Sequence, residues 1–139
     1  TYLVPNMFLN DVPLPPETPL STVKKNEFLK PHVEAGFKLA LKHKLKIAFG
    51  TDAGVMAHRD ARLEFYARVS RGMTPLHVLQ TATINAADLL GVNDRGQLKA
   101  GMLADIIAVN GNPLDNIREM ENVVFVMKGG AIFKAPQAF

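Results

Sequence analysis

The sequence predicts an α/β fold, and three observations carry that prediction. The short apolar run Ile47-Ala48-Phe49 follows directly on a lysine-studded segment of helical spacing. Within two residues it turns into the polar pair Thr51-Asp52, bracketed by Gly50 and Gly54. Beyond Asn93 the composition shifts to short strand-like runs separated by turns. An uninterrupted apolar run suits a strand buried on both faces, as in parallel sheets. A helix that leads straight into such a strand is the αβ half of a β/α repeat, and in those folds ligands bind outside the carboxyl ends of the strands. Asp52 therefore stands where the chemistry of an α/β protein is expected.

The elements follow in order. Residues 1–4 are β-branched and aromatic and stop at Pro5, which predicts a brief strand. Residues 10–22 carry Pro13, Pro15, Pro16 and Pro19 and read as a long irregular excursion, either a lid or binding loop or a plain surface loop. Residues 23–43 predict a helix that buries Leu29, Val33, Phe37, Ala40 and Leu41, with Pro31 causing a kink or a fresh start. The buried strand takes residues 46–51, and residues 53–59 form a small, polar loop after it. Asp60 is read as the cap of a helix with Leu63, Tyr66, Ala67 and Ser70 on one side, ending at Gly72. Thr74-Pro75 marks a sharp new helix start, and Gly91 its close. Its buried stripe is Leu79, Ala82, Ala86 and Leu89 or Leu90, and Thr81, Thr83 and Asn85 predict a break in its middle. Strands are expected at residues 97–98, 105–109, 123–128 and 131–133, with Gly129-Gly130 as a tight hairpin turn. Between the second and third of these, Gly111-Asn112-Pro113-Leu114 makes a turn and residues 116–120 one helical turn. Such a hairpin is marginal alone and must pack on something else.

Composition narrows the chemistry. The 139 residues are 47% hydrophobic and 21% charged, ordinary values for a soluble globular protein. There is no cysteine, so disulfides and thiolate metal sites are excluded and any metal must be held by His, Asp or Glu. The formal charge of +3 is spread along the chain. Its densest basic stretch, Lys24, Lys25, Lys30, Lys38, Lys42, Lys44 and Lys46, reads as a solvated helix face, and no nucleic-acid partner is expected. No apolar run approaches the roughly 18 residues of a membrane span. The start at Thr1, without initiator Met or basic leader, reads as that of a fragment and leaves localisation open.

Several short motifs then occur in a fixed order. They are Ile47-Ala48-Phe49-Gly50-Thr51-Asp52-Ala53-Gly54, Gly72-Met73-Thr74-Pro75-Leu76, Ala82-Thr83-Ile84-Asn85-Ala86-Ala87 with Leu90-Gly91, Gly96-Gln97-Leu98-Lys99-Ala100-Gly101-Met102-Leu103-Ala104-Asp105-Ile106-Ile107, and Gly111-Asn112-Pro113-Leu114 with Val126-Met127-Lys128-Gly129-Gly130. In this order the chain resembles the C-terminal end of the amidohydrolase superfamily. Within it, the branch most similar is the imidazolonepropionase-related hydrolases, with prolidase-type dipeptidases and arginine or lysine carboxypeptidases. The resemblance implies the C-terminal fragment of a (β/α)8 TIM barrel, about strands 7 and 8 with their helices, plus part of a small β-sandwich. Residues 1–92 would be barrel and residues 93–139 sandwich. A complete barrel takes about 250 residues, so the first six strands would lie outside this chain.

In that family the metal ligands are a His-x-His pair on the first strand, a carboxylated lysine on the fourth in binuclear members, histidines on the fifth and sixth, and an aspartate on the eighth. Only the last has a counterpart here, Asp52. From the residues alone Asp52 has two readings, a carboxylate capping the next turn or a functional group at the strand mouth. The resemblance implies the second, as metal ligand and proton shuttle. It also implies a divalent metal, zinc, in the intact protein, with this chain alone expected to hold none tightly. His58 is either a substrate contact or an ordinary loop histidine, and Arg59 is a candidate for a substrate carboxylate. Arg62 is expected on a helix surface, His32 and His43 at surface or helix-end positions, and His77 packed or exposed in a first helical turn. Asp105 is expected to be structural, and Thr51 and Asn85 to hydrogen-bond near the barrel mouth. The implied function is part of a metal-dependent hydrolase that cleaves a C–N bond of a small-molecule or short-peptide substrate, the chain alone being inactive. The alternative is a non-catalytic, self-associating module. An unpaired edge on the strand at residues 46–51 predicts either a homo-oligomer or dependence on the missing part of the barrel.

Overall fold

The computed structural model describes residues 1–136. Four helices, α1 (Leu20–Lys42), α2 (Leu63–Val69), α3 (Pro75–Ala82) and α4 (Ile84–Leu90), precede an antiparallel sheet of β1 (Ile106–Val109), β2 (Val123–Lys128) and β3 (Ala131–Lys134), with 3-10 turns at Phe8–Asp11, His58–Arg62 and Ile117–Glu121. The two segments expected as parallel strands do pair in parallel, Leu3 with Ile47. The Leu3 N–H donates to the Lys46 carbonyl at 2.9 Å and the Ala48 N–H to the Leu3 carbonyl at 3.0 Å. The ladder ends there. Its next rung would need an N–H from residue 5 for the Ala48 carbonyl, and Pro5 has none.

A buried ion pair fills that gap. Glu64 and Arg68, one helical turn apart on α2, are both fully buried and meet at 2.6 Å. From Arg68, Nη1 donates to the Ala48 carbonyl at 3.1 Å and Nη2 to the carbonyls of Pro5 and Gly50 at 2.6 and 3.2 Å. Glu64 accepts the N–H groups of Met7 and Phe8 at 3.0 and 2.7 Å. Of the face expected on one side of this helix, Ala67 is buried and Leu63 half-buried, while Tyr66 and Ser70 are exposed and Glu64 and Arg68 take the interior instead. Tyr66 is 41% exposed, with the Arg118 guanidinium 3.6 Å above its ring. Asp60 lies inside a 3-10 turn and does not cap α2, whose N-cap position is Arg62.

The far side of the Ile47 segment is covered from within the chain. The Phe49 N–H donates to the Thr81 carbonyl and Asn85 Nδ2 to the Ile47 carbonyl, both at 2.9 Å. The edge expected to stand open is thus occupied by the α3–α4 junction, which breaks at Thr83 as its sequence predicts. Thr74 caps α3 and Gly91, at φ 69°, closes α4. The buried residues are Val78, Thr81 and Ala87, one position off the predicted stripe. Thr81 is drawn inward because its hydroxyl donates to the Val78 carbonyl and accepts from Arg68.

α1 starts at Leu20, earlier than expected, and runs through Pro31 without a fresh start. The carbonyl four residues back that loses its donor belongs to Glu27, on an exposed turn open to solvent. Only Phe37 and Ala40 of α1 are buried; Leu29 and Val33 stay 38% and 39% exposed. In the tail, residues 97–98 form no strand. The hairpin turn has both glycines left-handed, Gly129 at φ 55° and Gly130 at φ 81°, and Asp105 accepts the Gly129 N–H at 2.8 Å, the structural role expected of it. The tail docks on α2 through the turn Ile117–Glu121, whose Ile117 and Met120 join Met7, Phe37, Ile47 and Val78 in one core.

Removing one partner of a buried, hydrogen-bonded ion pair typically costs about 3–5 kcal/mol. Glu64→Ala is expected to destabilise the protein by that order, since it strands the Arg68 charge and two backbone donors; urea denaturation of the purified variant measures it.

Candidate functional site

The site is built from the carboxyl end of the Ile47 segment. Gly50 suits the close approach there, because a Cβ at this position would collide with Val4 Cγ1. Two residues on, the backbone of Asp52 is left-handed at φ 53°, a conformation that few side chains other than Asn and Asp tolerate. Its carbonyl accepts the Val55 N–H at 3.1 Å, and the Gly54 N–H, from φ 120°, reaches the Met56 carbonyl at 3.1 Å. The turn is therefore closed by main-chain bonds. The Asp52 carboxylate is exposed and enters no hydrogen bond or ion pair with the described residues, so the capping reading of this side chain fails. An oriented, unengaged carboxylate is available to bind a cation or accept a proton.

His58 follows on the same loop, exposed, as the first residue of its 3-10 turn. Arg59 has an 83% exposed side chain, with Nε 3.7 Å from Asp60. It lines an open cleft of about 390 Å³ with Arg62, Glu121 and Lys134, to which Asp52 does not contribute. Arg62 is tied down, donating to the Glu121 carbonyl at 2.8 Å. The remaining histidines are dispersed: His32 is exposed on α1 with Nδ1 2.8 Å from the Phe28 carbonyl, His43 follows the end of α1, and His77 donates its N–H to the Thr74 cap. Asn85 makes the hydrogen bond expected of it, to Ile47.

A carboxylate oxygen is a suitable ligand for a divalent metal. A catalytic zinc normally takes three protein ligands, and no group of three or more His, Asp or Glu side chains among the described residues could hold one. Asp52 fits one position of such a set, and the described residues do not complete it.

Shifted ionisations lie away from Asp52. At the amino end of the parallel pair Tyr2 donates to Asp88, Lys46 Nζ reaches the same carboxylate at 3.2 Å, and Lys46 sits 5.2 Å over the Tyr2 ring. The Tyr2 and Lys46 hydrogen bonds hold Asp88 below the usual carboxylate range, and the bond that Tyr2 donates to Asp88 holds Tyr2 above its own. In β/α folds that end of the strands serves stability. Burial pulls the Arg68 guanidinium below its ordinary value, against the opposing pull of Glu64. The Arg68 contacts were missed by sequence reasoning, yet Pro5 carries a signal for them: a proline on the paired edge of a strand leaves one neighbouring carbonyl in need of a donor.

A short parallel pair with a carboxylate at its carboxyl end, helices behind it and an antiparallel three-stranded tail define an α/β fold. The chain belongs to the amidohydrolase family, whose model matches residues 5–133. It is 39% identical to ochratoxinase of Aspergillus niger over 110 residues, which cover 76% of this chain and 22% of that enzyme. It is 37% identical over 60 residues to imidazolonepropionase of Deinococcus radiodurans, covering 43% of this chain and 14% of that enzyme. Among solved structures, a Xaa-Pro dipeptidase crystallised with methionine in its active site superposes with a TM-score of 0.87 at 35% identity, covering 97% of this chain and 35% of that one. The chain thus spans about a fifth of the ochratoxinase and about a third of the dipeptidase.

Left-handed backbone costs an ordinary residue about 1–2 kcal/mol. Asp52→Asn is expected to be nearly neutral for stability and Asp52→Val to lose about that amount, as read from paired urea transitions.

Proposed function

We propose that this chain is the C-terminal part of a metal-dependent amidohydrolase that hydrolyses an amide or peptide C–N bond in a small-molecule or short-peptide substrate. The observation that carries the proposal is Asp52, an exposed carboxylate with no protein partner among the described residues, held left-handed at the carboxyl end of a buried parallel segment. The family match and the relatives named as an ochratoxinase and a Xaa-Pro dipeptidase support the bond type. In this reading residues 1–4 and 46–51 are the seventh and eighth barrel strands, residues 1–92 belong to the barrel and residues 93–139 to the β-sandwich.

Asp52 then has two tasks: it offers one oxygen ligand to a divalent metal, zinc, and it takes the proton of the attacking water and returns it to the leaving amine. The metal, when bound, makes water a usable nucleophile near neutral pH. His58, exposed on the loop that follows, is positioned to contact substrate. Arg59, the most exposed cation of that loop, is suited to a substrate carboxylate. Asp52→Asn in the full-length enzyme is expected to lower kcat by about 10²–10⁴-fold with an unchanged circular dichroism spectrum; a variant that keeps its turnover sinks the assignment.

A second reading concerns the chain on its own and rests on one surface. Leu3, Val4, Leu29 and Val33 are each about 40% exposed along the outer side of the first segment and α1. Beside them lies an open cleft of about 300 Å³ lined by Leu3, Pro5, Met7, Val33 and Phe37. Sequestering such a face demands either the rest of a barrel or another copy. The isolated 139-residue chain is expected to self-associate and to bind no zinc tightly; a monodisperse monomer in light scattering, or strong zinc binding in calorimetry, argues against this.

A further inference from the structure

Arg68 occupies the place where two strands part on their way to the candidate site. We propose that Arg68 is the positioning residue for Asp52, with Asp52 taken as the catalytic carboxylate proposed above: the guanidinium fixes the separation of the two parallel segments at Gly50, and so the place of the carboxylate two residues on.

The register dictates the geometry. In a parallel ladder that pairs Leu3 with Ile47, the rungs after the Ala48 N–H bond would run from the residue 5 N–H to the Ala48 carbonyl and from the Gly50 N–H to the Pro5 carbonyl. Arg68 meets the carbonyls of those rungs, Ala48 through Nη1 and Pro5 through Nη2, and then Gly50. Its other donors go to Glu64 at 2.6 Å and to the Thr81 hydroxyl at 3.4 Å, so the planar fork of five N–H groups is fully engaged. The Phe49 ring lies 4.6 Å from the guanidinium and fixes its plane. The two residues that lead into the Gly50 carbonyl are therefore constrained, Phe49 by this stacking and by the Thr81 carbonyl, and Gly50 itself by Val4. With its amide turned over, Asn6 Nδ2 also reaches the Pro5 and Gly50 carbonyls, at 3.3 and 3.1 Å, and Arg68 is the one donor there that ties both segments to α2. A lysine would keep the charge, but a single ammonium with three donors cannot reproduce a planar fork that binds carbonyls on both segments and Glu64 together.

The test uses the full-length enzyme, with Arg68→Lys, Phe49→Leu and Asp52→Asn prepared side by side. Thermal midpoint, kcat, KM and zinc affinity by chelator competition are measured on each. Misplacement of a reacting group by about 1 Å can cost about 100-fold in rate. Arg68→Lys is accordingly expected to lose about 10–100-fold in kcat, with KM within about twofold of the parent and zinc held several-fold more weakly. Phe49→Leu should move kcat and zinc affinity in the same direction by a smaller factor. A purely structural role predicts a lower thermal midpoint with kcat and zinc affinity per folded molecule unchanged, and that result in a folded Arg68→Lys protein overturns the proposal. If Arg68→Lys does not fold, Phe49→Leu decides by the same criterion. An inactive Asp52→Asn beside an Arg68→Lys enzyme of parental kcat removes the positioning role alone; an active Asp52→Asn removes the catalytic assignment beneath it.

Discussion

Pro5 cannot donate a hydrogen bond, and much of the molecule is arranged around that missing N–H. The strand pair it interrupts is buried: Ile47 and Ala48 are wholly inaccessible, so water cannot satisfy the Ala48 carbonyl. An unmade hydrogen bond in such a place costs the full desolvation of the orphaned group. The chain supplies the donor from α2, and because that donor is a cation, it must bring a counter-charge. Glu64 is that counter-charge, and its oxygens also bind the Met7 and Phe8 N–H groups just past the proline. Taking two charges out of water is offset only when every donor and acceptor is used. Here the guanidinium is saturated, and the pair acts chiefly as a specification of geometry.

Other elements hang from the same helix. α2 touches the 3-10 turn after the first strand on one side and the turn Ile117–Glu121 of the tail on another, so that the antiparallel sheet is tied to the parallel pair through it. Arg71, one turn beyond Arg68, extends the pattern outward: it binds Asp11 at 2.7 Å and Glu34 at 3.2 Å and anchors the start of the proline-rich excursion to α1. The sequence α2, buried pair, strand ends, Asp52 loop is thus a chain of contacts in which each member restrains the next.

Much of this was legible beforehand, for identifiable reasons. Strong local chemistry marked the Thr74-Pro75 start, the break at Thr83, the Gly91 stop and the Gly129-Gly130 hairpin, and each lies where its residue type demands. Asp52 stood out because a carboxylate after a buried apolar run lies where α/β folds bind ligands, and the structure leaves its side chain exposed. The inner face of α2 was not, since charge at helical spacing ordinarily means solvent, and here tertiary demand for a donor overrode that rule. The stripe on α3 lies one position earlier than its spacing suggests for a related cause, because Thr81 is drawn inward by Arg68. Leu29 and Val33 have the spacing of core residues and are exposed, since no other element of the described residues covers their face.

The buried Glu64–Arg68 pair also sets the unit in which such a protein can be cut and recombined. The partners of the Glu64–Arg68 pair extend from Pro5 to Thr81, so the seam is a discontinuous module that spans more than half of the chain while its contacts occupy a handful of atoms. A chimera that exchanges only the Asp52 loop with a relative would import a loop tuned to another seam. Pro5, Gly50, Glu64 and Arg68 would have to travel together, the imino acid and the cation being two halves of one solution. Swap junctions therefore belong before residue 3 or after residue 83, and a breakpoint inside that interval divides the hydrogen-bond lattice.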